Sequence, residues 1–159
     1  MFILHVLDGK EHDIIDKLKW LKTLKTYAPK EKIIFRKGGV WHEEQKAIFP
    51  GYIFIEESEH IEKLSPWMYY RLIEINGVLR VLDRYKPLSE KEAGKIRSIA
   101  KNLDMCKAKF ENGVLISLHG WIEDFDYKII KYSKRQRKVL VESTIYGEPV
   151  RHKLSVDII

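Results

Sequence analysis

The sequence predicts an α+β domain, an antiparallel sheet flanked by helices, followed by a small all-β barrel. Apolar residues recur at helical spacing within the first hundred residues, with β-rich runs between them. From Asn112 onward no helical period remains, only short β-rich runs separated by turns. The chain of 159 residues is 45% hydrophobic and 11% aromatic, enough to bury a core, which excludes wholesale disorder.

Residues 2–7 (Phe-Ile-Leu-His-Val-Leu) read as a buried strand, and Asp8-Gly9 as a turn. Asp8 and Glu11 are spaced like a capping box, and Ile14, Leu18, Leu21 and Leu24 extend an amphipathic helix over about 10–26. Its other side carries Lys17, Lys19, Lys22 and Lys25, and Pro29 closes it. A hairpin is expected next, Ile33 to Lys37 and Val40 to Glu44 about a Gly38-Gly39 turn. Ala47 to Glu56 is a strong strand, with Pro50-Gly51 marking a bend near its start. Ser65 caps a helix opened by Pro66 that runs to about Glu74. After Asn76-Gly77 the chain returns as a strand over Val78 to Leu82. Ser89 and Glu92 form a second capping box, opening a helix whose buried face carries Ala93, Ile96, Ala100 and Leu103. Four β runs follow at Val114 to Leu118, Tyr127 to Tyr132, Val139 to Ile145 and His152 to Val156. The expected division is a domain at 1–104, a linker at 105–110 and a barrel at 111–159.

The single cysteine, Cys106, excludes an internal disulfide framework and reads as structural. The six histidines are scattered without a zinc spacing or HExxH, and no glycine-rich phosphate loop or nucleophile elbow occurs. The chain is therefore read as a non-enzyme, with no metal and no cofactor. No apolar run approaches the ~18 residues of a membrane span, and the N-terminus lacks the pattern of a signal peptide. The expectation is a cytoplasmic monomer with no membrane partner.

A net charge of +6 permits binding to nucleic acid or an acidic surface. Charge concentrates between Tyr127 and Lys138, where Lys128, Lys131, Lys134, Arg135, Arg137 and Lys138 occur with no acid. Tyr127 and Tyr132 are interleaved, so the stretch offers phosphate neutralisation and surfaces on which bases stack. Like charges crowded at a hairpin tip repel unless an anion is their normal neighbour. RNA is favoured over duplex DNA, because this half contains no recognition helix. The alternative is a solvated turn.

Phe49-Pro50-Gly51-Tyr52-Ile53-Phe54 resembles the signature strand of the N-terminal domain of the NusG family of transcription elongation factors. The opening Phe2 to Val6 and Gly9-Lys10-Glu11, then Trp67, Arg71, Gly77-Val78 and Pro87-Leu88-Ser89, fall in the family's order. The last fifty residues are similar to a KOW-type barrel, including Ile145-Tyr146-Gly147. The resemblance implies a polymerase-binding apolar patch at His5, Phe49, Tyr52, Phe54 and Val78. Strand alternation sets Tyr52 and Phe54 on one face and Ile53 and Ile55 on the other, so partner contact competes with core packing for the aromatic pair. It also implies contact with non-template DNA through Lys10, Lys17 and Arg71, against a solvated helix face. Tyr146 stands where the family presents an aromatic residue to Rho or a ribosomal protein. The glycine expected in the KOW turn is replaced by Tyr127, which implies a remodelled turn and a specialised antitermination paralogue similar to RfaH or LoaP. Such a factor would dock on RNA polymerase and engage a nascent RNA hairpin. The alternatives are a general NusG bridging polymerase to Rho or the ribosome, and a KOW-containing RNA-binding protein of translation.

Overall fold

The computed structural model describes residues 1–21, 23–57, 64–82, 86–100, 103–145 and 147–159. They form two compact units, Met1–Pro29 with Phe49–Ala100, and Lys30–Ile48 with Lys101–Ile159. The second unit thus takes in a segment interrupting the first.

The first unit is built on a four-stranded antiparallel sheet. Its strands are β1 (Phe2–Val6), β2 (Leu24–Tyr27), β5 (Tyr52–Glu57) and β6 (Val78–Leu82), in the order β2-β5-β1-β6. Helices α1 (Glu11–Leu18) and α2 (Pro66–Ile73) bury Ile14, Leu18, Met68 and Leu72 with Phe2, Leu4, Val6, Ile53 and Ile55. On the opposite face Ile3 and Phe54 are also buried. Helix α3 (Glu90–Ser98) is tied to that face by Arg97 donating to Glu56, and Leu88 N–H donates to the Met1 carbonyl at 2.8 Å. This face is therefore covered at Ile3 and Phe54, and Phe54 belongs to the core.

Two local expectations fail here for identifiable reasons. The first helix stops at Leu18, and Leu24–Tyr27 pairs with β5 instead of extending it. The Leu21 and Leu24 spacing fits a helix, but Leu24–Tyr27 takes its backbone partners from β5 instead. The Asp8–Glu11 capping box does not form, since α1 has Lys10 at its N-cap without a side-chain cap. Glu11 is buried and accepts the Gly51 N–H at 2.7 Å. Gly51 has φ +82°, and a Cβ there would stand 3.3 Å from the Val6 carbonyl oxygen, so glycine is needed where the chain crosses β1. The Ser89–Glu92 capping box and the Ser65 cap both form as expected.

In the second unit β7 (Cys106–Glu111), β8 (Val114–His119), β9 (Tyr127–Ser133), β10 (Lys138–Ile145) and β11 (Glu148–Ile158) form one sheet. Its order is β8-β7-β11-β10-β9, with β7 and β11 parallel. Cys106, Ala108, Leu118, Ile122, Val139, Val141, Leu154 and Val156 are buried in this unit. The expected linker at 105–110 is thus mostly strand. Cys106 and Ala108 face inward while Lys107 and Lys109 face water, a period-two pattern that small residue types disguise. Burial pushes the Cys106 thiol up to about 12, in keeping with a structural role. Gly120 passes so close to it that a Cβ would meet Sγ at 3.1 Å.

The hairpin β3 (Lys30–Lys37) and β4 (Val40–Ala47) belongs to the same unit. Gly38 and Gly39 both have positive φ, the backbone a two-residue hairpin turn requires. The hairpin is held by buried polar contacts: Ile34 N–H donates to Ser155 Oγ at 3.1 Å and Trp121 Nε1 to Glu31 at 3.0 Å. Lys138 Nζ donates to the Ile34 carbonyl at 2.7 Å and also bonds to Ser155 Oγ.

Candidate nucleic-acid interface

The turn between β9 and β10 is closed by Arg137 N–H donating to the Lys134 carbonyl at 3.2 Å, and Gln136 N–H donates to Ser133 Oγ at 3.3 Å. Arg137 lies in the left-handed region, φ 52°, unusual for a residue with a side chain. Its guanidinium lies 5.3 Å from the centroid of the Trp41 ring, and Arg36 lies 6.0 Å from the same ring. Trp41 is 40% exposed despite these neighbours. Each such contact contributes about 0.5–1 kcal/mol at an exposed site. A groove of about 450 Å³ runs here, lined by Phe35, Arg36, Trp41, Arg135, Lys138 and Lys153 among others.

The six cations expected to bind RNA divide into distinct environments. Lys131, Lys134, Arg135 and Arg137 are exposed, with Lys134 5.9 Å from the Phe110 ring. Lys128 lies 3.5 Å from Glu142, which also meets Arg151 at 3.2 Å, so a neighbouring strand supplies the acid missing from the stretch itself. Lys138 is only half-exposed, and burial pulls its ammonium below the usual lysine range. Its bonds to Ile34 and Ser155 make it a clamp for the β3–β4 hairpin more than a phosphate contact. Tyr127, read as a remodelled turn, is instead the first residue of β9, at the far end of that strand from the cationic turn. Its hydroxyl reaches the Leu118 carbonyl at 3.5 Å. Sequence reasoning missed Arg36, Trp41 and Lys153. Arg36-Lys37-Gly38-Gly39-Val40-Trp41 carried the signal, a second tip rich in cations beside an aromatic residue.

The five expected polymerase contacts also separate. His5 and Tyr52 are register partners on β1 and β5, half-exposed and stacked at 5.1 Å with an interplanar angle of 19°. Phe49 and Phe54 are buried and meet edge to face at 5.4 Å, so they support the surface from below. Val78 packs against the helix-side core. Only His5 and Tyr52 therefore offer a partner an accessible ring face. Of the expected DNA contacts, Lys10 pairs loosely with Asp13 at 3.9 Å, Lys17 is exposed, and Arg71 lies 5.5 Å from the Trp67 ring. No contact among the described residues joins the three. Tyr146 lies outside the described residues.

Among the described residues no helix is long and apolar enough to cross a membrane, and no cluster of three or more His, Cys, Asp or Glu could hold a metal. No curated protein sequence matches the chain. Its fold is similar to that of NusG from Thermotoga maritima, solved in a study of that protein's domain interaction. The TM-score is 0.59 at 18% identity, over 96% of this chain and 91% of that one. The family described as transcription termination factor nusG matches residues 1–97, more than half of the 159-residue chain. This chain belongs to the NusG family, a family of transcription factors that generally bind RNA polymerase.

Proposed function

We propose that this chain is a specialised antitermination and processivity factor. It docks on RNA polymerase through the first unit and holds a nascent RNA hairpin with the second, a KOW-like barrel. The observation that carries this reading is the β9–β10 turn, where Lys131, Lys134, Arg135 and Arg137 stand exposed. Among the described residues none of the four has an ion-pair partner. Uncompensated like charges repel, and a polyanion removes that cost while releasing its counterions. Docking is assigned to the stacked His5–Tyr52 pair, since an aromatic platform on a rigid sheet is what a partner can bury at small entropic cost. Bound to the polymerase, the factor suppresses pausing by binding the elongating state more tightly than the paused one.

The test is a titration of the chain against structured RNA at several salt concentrations. Log affinity should fall with log salt at roughly 0.7–0.9 per phosphate contact, a slope near −3 for about four contacts. Replacing Lys131, Lys134, Arg135 and Arg137 with alanine should flatten the slope and weaken binding by orders of magnitude. A slope that the four substitutions leave unchanged would make the turn merely solvated and favour a general NusG that bridges polymerase to Rho or the ribosome.

A further inference from the structure

The basic turn faces a second basic and aromatic element, and the groove between them belongs to neither alone. Trp41 on β4 sits near two guanidiniums, Arg36 from its own hairpin and Arg137 from the β9–β10 turn. Arg135 and Lys153 line the same groove. Among the described residues none of these four cations is in an ion pair, although Glu43 stands exposed two residues along β4. Lys138 fixes the hairpin against β10 and β11 through its bonds to Ile34 and Ser155, so the two walls are held together.

We propose that the β3–β4 hairpin and the β9–β10 turn together form a groove for an unpaired nucleotide, with Trp41 as its stacking surface. This rests on the reading that the basic turn binds RNA, and it names the part of the RNA that is bound. An incoming base takes the place of one guanidinium on the indole, and the released arginine meets a flanking phosphate. Both exchanges are favourable in kind: base on indole is a better stack, and guanidinium on phosphate is a charge-assisted bond. A base already stacked and paired in a duplex has no free face to offer, so the ligand is a loop, bulge or single strand. A groove of about 450 Å³ has the scale of individual nucleotides.

Unpaired nucleotides reach such a site from two sources, an RNA loop or a displaced DNA strand. The experiment uses the full chain with three probes: an RNA stem with an unpaired loop, the same stem as a blunt duplex, and single-stranded DNA of the loop's sequence. Trp41→Ala should weaken binding of the looped RNA by about five- to 150-fold, the usual range for losing one base–aromatic stack. The salt slope and the affinity for the blunt duplex should not change, and Trp41→Phe should keep most of the affinity. Circular dichroism melting of both variants controls for folding. If single-stranded DNA binds as tightly and with the same dependence on Trp41, the groove stands and its source is the DNA strand. If Trp41→Ala binds looped RNA normally while Arg135→Ala with Arg137→Ala weakens it, the groove is overturned and the RNA reading survives. If the unaltered chain binds no probe, both are overturned.

Discussion

Glu31 is 5% exposed, its carboxylate accepts the Trp121 indole N–H, and burial raises its pKa to about 7. Lys138 and Lys46 pull in the opposite direction without overcoming the loss of water. Between the ordinary carboxyl value of 4.5 and about 7, the folded protein keeps a proton that the unfolded chain has released. Stability from this group is therefore lost as pH rises through that window, and is flat above it. His152, also buried, has its pKa lowered and contributes the reverse trend below the usual histidine range. Comparing Glu31→Gln with the parent isolates the first effect, because the amide stays neutral and can still accept from Trp121. Thermal melts at about pH 5 and pH 7.5 should show the parent losing roughly 1–3 kcal/mol relative to the variant on going to the higher pH. An unchanged difference between the two proteins would mean that Glu31 is ionised throughout.

At the scale of elements, what was legible in the sequence was whatever is decided locally. Ser89 and Glu92 cap α3 reciprocally, each accepting the other's backbone N–H, and their spacing alone announced it. The Gly38-Gly39 turn and the Ser65-Pro66 helix start were legible for the same reason. What the sequence concealed depended on partners far along the chain. Leu24–Tyr27 is a strand because β5 lies beside it, and Glu11 is drawn away from a capping box by the Gly51 N–H forty residues later. The two sites give a matched comparison. Ser89→Ala should cost about 1 kcal/mol of stability in urea unfolding, while Asp8→Ala should cost close to nothing. Equal losses at both positions would show that Asp8 caps α1 after all.

At the scale of the molecule, chain order hides the division into units. Residues 30–48 interrupt the first unit yet fold with the second, through contacts such as Glu31 with Trp121 and Ile34 with Ser155. Those pairs are separated by 90 and 121 residues, beyond any periodicity that a sequence displays. The cationic half of the candidate site was visible as a run of Lys and Arg, whereas its aromatic wall became visible only when the hairpin was placed. The surface proposed to meet polymerase shows a similar limit. Strand alternation set Tyr52 and Phe54 on one face, but only the fold shows that Phe54 is 1% exposed and Tyr52 accessible.

Transcription of a terminator template by purified polymerase separates the two roles proposed for this NusG-family chain, docking on polymerase and reading RNA. The template should be made with and without a leader segment that folds into a looped hairpin. The chain should raise read-through markedly more when the hairpin is present. Replacing Lys134, Arg135 and Arg137 with alanine should remove that difference while polymerase is still retained in a pull-down. Tyr52→Ala should lose both, with the fold intact, since the side chain is half-exposed and truncating a hot-spot aromatic costs about 2 kcal/mol or more. Equal read-through on the two templates, or a hairpin-dependent gain that survives loss of the three cations, would mean that the basic turn does not read RNA.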